Sequence, residues 1–472
     1  MKNLKKISAL ILALVLVLSL SAAAFAATTL DGNGEQGAFT TEDTPTSQSK
    51  TLVLSKEITA YNVDETTIKA PTISYTYTIA AATVPNGATV TDAAGKHTSN
   101  ASVTVPVKAG VGTPTIANSG VVAWTTADSL TAADAGAANK KDISIDFSSV
   151  VFTGAGVYRY VINEALTSGY TYASSGVTES LYNNGTADVA ASHSRYIDVY
   201  VRPVTTGFTD GTAATDWDIY GYTCFYNNDD AITDANKTTD AVKTTGFVAG
   251  TTDGTTAVKA DSYYTFNLTI SKTVANDAYG AATQNFPFTV LFTNANVSAG
   301  TIVTNGATAP TGTDFTHNTS VDLTSGDLKG VATLKHGQQI KYVGIPNGTS
   351  VEVYETNIAT GITYQVATAV DGGSPTTDAA VTWGSTPSSA VTQAMSGDPA
   401  TKTNAYESTK AVITTTADAD DDTAHSVAVT NNLVTISPTG VTLRIAPFAL
   451  ILAAGIVLFL ITRRRREQAE EA

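Results

Sequence analysis

Two lysines stand where strand geometry disfavours a lysine. Leu52–Ile58 reads Leu-Val-Leu-Ser-Lys-Glu-Ile, and Leu268–Val274 reads Leu-Thr-Ile-Ser-Lys-Thr-Val, one pattern written twice. Side chains alternate faces along a strand, so Lys56 shares a row with Leu52, Leu54 and Ile58, and Lys272 shares one with Leu268, Ile270 and Val274. An ammonium in an apolar row must be paired, snorkel out at a strand end, or lose its charge. One such lysine reads as a snorkelling side chain. The same placement at the start of two tandem stretches reads as chemistry.

Two further residue types recur with the lysines. In Tyr158–Glu164 the alternation puts Glu164 in a row with Tyr158, Tyr160 and Ile162, and in Val351–Glu355 it puts Glu355 with Val351 and Val353. An asparagine comes late in each stretch: Asn267 on the last segment before the second lysine motif, and Asn431 on the face of Val427 and Val429. The set Lys, Glu, Asn thus occurs twice in one order, as Lys56, Glu164, Asn267 and as Lys272, Glu355, Asn431. Burial raises a carboxyl pKa and lowers an amine pKa, so a buried Lys and Glu side by side can both be neutral. The free amine is then a nucleophile toward the Asn carboxamide, while the acid polarises the carbonyl and passes a proton to departing ammonia. The product is a Lys–Asn isopeptide bond, formed once and not turned over. Joining first strand to last closes a loop of roughly 200 residues and stabilises as a disulfide does.

Other constellations carry less. Asp418–Asp422 offers carboxylates but not the spacing of a calcium loop, and reads as a solvated acidic turn. The five histidines (His97, His193, His317, His336, His425) have no metal-ligand spacing, so no metal and no cofactor are expected. Neither a Gly-x-Ser-x-Gly elbow nor a phosphate loop is present, and nothing supports a turnover enzyme or a surface hydrolase. The net charge of -15 excludes nucleic acid as a natural partner. Cys224 is the only cysteine, which removes any internal disulfide framework.

The elements that must position these residues are strands. Only 15% of the residues are charged, and Thr, Val, Ser, Ala and Gly abound. Short alternating runs are broken by Gly, Asn, Asp and Thr clusters: Thr72–Ile79, Ile143–Phe147, Gly156–Ile162 and Arg195–Val201, then Phe286–Phe292, Val331–Leu334, Gln339–Val343, Ser350–Tyr354 and Ser426–Thr430. Helical periodicity is confined to the termini. The expectation is an all-β protein of two tandem immunoglobulin-like β-sandwich domains, 49–268 and 269–435, behind a flexible polar leader at 27–48.

The ends give an address. Met1–Lys6 is basic, Ile7–Leu20 is apolar, and Ala24–Ala26 supplies small residues, so 1–26 reads as a secretory signal helix cut after Ala26. Residues 445–462 form an apolar stretch long enough to span a bilayer as a helix, and Arg463–Arg466 open a basic cytoplasmic tail, 463–472. The mature chain is expected to be exported and held by its tail.

These residues resemble a family. Leu52–Ile58, Ile145–Phe152 running into Gly156–Glu164, Leu268–Val274, Thr333–Gly337, Gly344–Gly348 running into Glu355, and Val429–Asn431 are similar to the two-domain major pilins of Gram-positive bacteria, especially the streptococcal backbone pilin with isopeptide linkage domains. The likeness covers most of 50–435. It implies Lys56 and Lys272 as nucleophiles, Glu164 and Glu355 as proton shuttles, and Asn267 and Asn431 as acceptors. Asn267 lies only five residues before Lys272, and strand parity puts it on the opposite face.

The tail extends the likeness. Ile436-Ser437-Pro438-Thr439-Gly440, an apolar span and four arginines resemble a sortase sorting signal of LPXTG type, with Ile436 in place of Leu and Pro438 one position late. A sortase would cut between Thr439 and Gly440 and pass the threonyl group to an amine of the next pilin or of peptidoglycan. For a polymer, the accepting amine is expected on a surface lysine late in the first domain: Lys259, Lys243 or Lys237, with Lys259 favoured. The implied function is a structural subunit of a covalent, wall-anchored pilus. Its partners would be sortase, other pilin subunits, peptidoglycan and, before processing, the membrane. The alternative is a single-copy wall-anchored adhesin that uses the same domains as a stalk, with its binding surface in the loops between 205 and 260.

Overall fold

Among the described residues, alternating apolar and small polar residues make the long segments between 51 and 436 strands, and the protein is mostly β-sheet, as an all-β fold requires. The computed structural model describes residues 27–30, 35–36, 48–84, 89–92, 103–154, 156–179, 193–203, 217–226, 243–252, 256–293, 301–305, 320–322, 329–355, 362–377, 381–382, 411–414, 424–436 and 451–463. Two compact units divide it, Met1–Tyr264 and Thr265–Ala472.

The long strands of the first unit are β1 (Thr51–Tyr61), β2 (Ile73–Ala81), β3 (Ala137–Asp146), β4 (Gly156–Leu166), β5 (Ser194–Pro203), β6 (Trp217–Phe225) and the opening of β7 (Asp261–Ala275). In one sheet β1 is central. It pairs antiparallel with β3, Ile145 opposite Leu52, and parallel with the start of β7, Asp261 opposite Ile58. The short strand Gly246–Phe247 also runs parallel to β1, and sets Phe247 opposite Lys56. The other sheet is antiparallel in the order β6, β5, β4, β2. Leu52, Leu54 and Ile58 of β1, Tyr75 and Tyr77 of β2, and Tyr158, Tyr160 and Ile162 of β4 are all buried. Their burial drives the unit together.

The second unit uses the rest of β7 with β8 (Phe286–Thr293), β9 (Lys329–Leu334), β10 (Gln339–Pro346), β11 (Ser350–Glu355), β12 (Ile362–Val370), β13 (Ala411–Thr414) and β14 (His425–Ile436). Here β7 pairs antiparallel with β10 and parallel with β14, which in turn pairs with β12. A separate sheet has the order β9, β8, β11, β13. The row Phe286, Phe288, Val290, Phe292 of β8 packs in one core with Leu268 and Ile270 of β7 and Val427 and Val429 of β14. The division between units falls at Tyr264 and not at the expected residue 268, because β7 pairs with β1 only through Tyr264 and with β10 from Thr265 onward.

Several expected features lie outside the described residues: the signal segment 1–26, most of the leader, Lys237, Asp418–Asp422, Ser437–Gly440, 445–450 and 464–472. Residues 451–463 are helical. Among the described residues no helix is long and apolar enough to cross a membrane.

Candidate functional site

In the second unit, β7 points Lys272 inward between Ile270 and Val274, and β11 ends on Glu355 from the other sheet. Lys272 Nζ donates to Glu355 Oε2 at 2.6 Å, with both side chains sealed from solvent. Asn431, on the strand parallel to β7, donates from Nδ2 to Glu355 Oε1 at 2.6 Å. Its Oδ1 is buried and accepts no hydrogen bond. Burial lowers Lys272 to about 8, against the opposing pull of Glu355. The ammonium sits 4.3 Å above the Phe286 ring, so its surroundings are aromatic rather than aqueous. The three residues Lys272, Glu355 and Asn431 therefore meet. The Glu355 carboxylate lies between Lys272 Nζ and Asn431 Nδ2.

The first unit repeats the geometry with one change. Lys56 Nζ donates to Glu164 Oε1 at 2.9 Å and to Asp261 Oδ2 at 2.8 Å. Two tyrosines hold the carboxylates: Tyr77 Oη donates to Glu164 Oε2 at 2.5 Å, and Tyr75 Oη donates to Asp261 Oδ2 at 2.6 Å. Burial pushes Lys56 down, but Asp261 and Glu164 together outweigh it and hold the amine above the ordinary lysine range. Burial pushes Glu164 up, and the Lys56 charge, the neighbouring His193 ring and the hydrogen bond from Tyr77 bring it down to about 2.

Asn267 is not part of this site, which corrects the expected acceptor of the first domain. It lies in the second unit, where its Oδ1 accepts the Gly344 N–H at 3.1 Å beside a register shift between β7 and β10. Six residues of extended strand, about 20 Å, separate it from Asp261. The residue in reach of Lys56 is Asp261. Its register is diagnostic: Asp261 stands opposite Ile58 and Asn431 opposite Val274, each the next residue on the lysine's own face. A carboxylate stands in the first unit where the repeat predicts an amide side chain. The roles of Tyr75, Tyr77 and His193 leave no local sequence signal, because their contacts arise from strand pairing across long sequence separations.

The remaining residues are more scattered. Lys259 is exposed, whereas Lys243 is only 6% exposed and bridges to Phe225, so it is not the surface lysine expected of an acceptor. Ile436 closes β14. Burial pushes the Cys224 thiol up to about 12, which leaves it unreactive.

A domain family of unknown function, DUF7601, matches residues 266–386. No curated protein matches the chain. Among solved structures, it is similar to the major pilin from Streptococcus pyogenes, at 16% identity over 81% of this chain and 99% of that one, TM-score 0.33. It is similar also to the T-13 major pilin of Streptococcus pyogenes, at 16% identity over 81% and 99%, TM-score 0.32. A pilus-presented adhesin aligns at 18% identity over 48% of this chain and 38% of that one, TM-score 0.21.

Proposed function

We propose that the chain is a structural subunit of a covalent cell-surface fibre, a pilin whose two immunoglobulin-like sandwiches each lock themselves with one internal amide bond. The observation that carries this reading is the shared register of Asp261 and Asn431, each set beside a buried Lys–Glu pair.

In the second unit, Glu355 takes a proton from the Lys272 ammonium, and the neutral amine attacks Cγ of Asn431. As the Cγ–Nδ2 bond breaks, Glu355 gives its proton to the departing nitrogen and takes the second amine hydrogen, so that an amide and ammonia form and Glu355 ends protonated. In the first unit, Lys56 attacks Cγ of Asp261 with Glu164 in the same role, and the departing oxygen leaves as water. Each reaction happens once, so the chain is the substrate of its own chemistry and not a turnover enzyme. Both bonds join a unit's lysine strand to the strand parallel to it, so load along the chain passes through a covalent link instead of unzipping hydrogen bonds.

Polymerisation and wall attachment rest on Ile436–Gly440 with the basic tail, and Lys259 is the favoured accepting amine. Two measurements test the reading. Mass spectrometry of digested protein is expected to find a Lys56–Asp261 peptide short of one water and a Lys272–Asn431 peptide short of one ammonia. Cell-wall extracts are expected to show detergent-resistant ladders containing this chain. A single band with both linked peptides would instead make the chain a self-locked anchored stalk, and unlinked peptides would sink the reading altogether.

A further inference from the structure

The two sites differ in proton count. In the second, a neutral amine, a neutral Glu355 and Asn431 hold as many protons as the ammonium–carboxylate pair they come from, so the reactive state needs only an internal transfer. In the first, one ammonium faces two carboxylates. Moving its proton to Asp261 gives a neutral amine and a neutral acid but leaves Glu164 an anion with nothing to donate, and moving it to Glu164 leaves Asp261 an anion, whose carbon resists an amine. A site with Glu164 protonated beside a neutral Asp261, as Glu355 is protonated beside Asn431, is one proton short. One more proton must enter.

A route exists. The backbone places His193 at the head of β5, where its carbonyl accepts the Glu164 N–H at 2.7 Å. The ring spans from the buried site toward solvent: Nδ1, buried and without a hydrogen-bond partner, is 3.6 Å from Glu164 Oε1, and Nε2 is 2.7 Å from Glu179 Oε1. The side chains of His193 and Glu179 are 23% and 31% exposed, against 3% for Glu164. The described histidines of the second unit have other engagements: His336 Nδ1 accepts the Val274 N–H, and His425 pairs with Asp371.

We propose that His193 supplies this proton from its imidazolium to Glu164, while the Lys56 proton passes to Asp261, so that a neutral amine meets a neutral acid beside a protonated Glu164. The inference rests on the bond-forming reading above. The balance closes: the Lys56 nitrogen bonds to Cγ of Asp261, the Cγ–O bond breaks, and water leaves with the acid hydrogen and one amine hydrogen. Glu164 then returns the borrowed proton to His193. His193 acts through Glu164 and is a positioning and proton-supplying residue, not one that touches the reacting carbon.

The groups facing His193 favour its charged form. Glu164 holds it above the ordinary imidazole range against partial burial, with Glu179 helping on the other side. Behind Glu164 lie Lys56, Asp261 and the Tyr77 hydroxyl, and the buried Arg195 guanidinium on β5 also feels the Glu164 charge.

The test uses the full chain recovered unreacted under denaturant, refolded across a range from about pH 6 to about pH 9, with both linked peptides timed in the same samples. In the native sequence the Lys56–Asp261 peptide is expected to form more slowly as pH rises, while the Lys272–Asn431 peptide holds its rate up to about pH 8. His193→Gln is expected to slow the first bond by about a hundredfold and flatten its pH profile, leaving the second unchanged. Added imidazole should restore part of the rate in His193→Gly. Asp261→Asn combined with His193→Gln removes the need for the second proton and should link rapidly again. A His193→Gln chain with native rate and profile overturns the proposal, as does a double variant that stays unlinked. Absence of the Lys56–Asp261 peptide in the native sequence defeats the bond-forming reading itself, a separate outcome.

Discussion

Asp261 and Asn431 hold the same register position in their respective units. Each lies on a strand running parallel to its lysine strand, opposite the residue that follows the lysine on the inward face. In both, the glutamate that completes the contact comes from the opposing sheet, Glu164 on β4 and Glu355 on β11. What differs is the side chain, a carboxylate in one and a carboxamide in the other.

Under the proposed chemistry the acceptor is selected by position and not by residue type, so the two types should exchange. Asp261→Asn is expected to yield a linked Lys56 peptide short of ammonia instead of water, and Asn431→Asp a linked Lys272 peptide short of water instead of ammonia. Peptide mass spectrometry reads both. If Asp261→Asn leaves Lys56 unlinked while the unit folds, equivalence of the two positions is wrong.

Removing a glutamate should separate bond formation from folding. Glu355→Ala leaves Lys272 and Asn431 in place but removes the carboxylate that touches both. The second bond is expected to vanish while the first persists. In the chain-entropy account, a link across roughly 160 residues stabilises by about 5 kcal/mol, so the denaturant midpoint of the second unit should fall accordingly. A linked peptide in Glu355→Ala would remove Glu355 from the chemistry.

Much of this was legible in the residues. Period-two alternation placed Lys56, Glu164, Lys272 and Glu355 on inward rows, since facing depends only on local pattern. The contact of Glu355 with Lys272 and Asn431 followed the order of the repeats. Asp261 was hidden because parallel pairing of first and last strands, 205 residues apart between Lys56 and Asp261, leaves no local trace. Asn267 drew attention by its type, and its bond to Gly344 shows a different task, holding the edge of a register shift. The unit boundary was displaced for a related reason: β7 serves one unit with its first residues and the other with the rest, so no composition change marks the junction.

Lys56 also balances the charges of Glu164 and Asp261. Lys56→Met leaves Glu164 and Asp261 buried together without their cation. Breaking such a pairing costs about 3–5 kcal/mol beyond the lost crosslink, enough to unfold the first unit at room temperature. Adding Glu164→Gln and Asp261→Asn to Lys56→Met removes both orphaned charges and should recover folding without recovering the link. Circular dichroism and thermal melts of the two variants decide it. Equal stability would mean that the charges are not felt in the folded chain.

The depressed Lys272 makes a signed prediction for the unlinked second unit. Asn431→Ala blocks the bond and keeps the Lys272–Glu355 pair. Between about 8, its folded value, and the ordinary 10.5, the folded chain holds fewer protons on Lys272 than the unfolded chain does. Stability contributed by this residue therefore rises with pH through that window, by at most about 1.4 kcal/mol per pH unit, and is flat below it. Tyrosines ionise near the upper end and pull the other way, so the comparison is with Asn431→Ala carrying Lys272→Met as well. Urea midpoints of the two variants should diverge as pH climbs from about 8, the lysine-bearing chain gaining relative to the other. A difference that stays constant would mean that Lys272 keeps an ordinary affinity for its proton, and that the free amine required for attack is not prepared by burial.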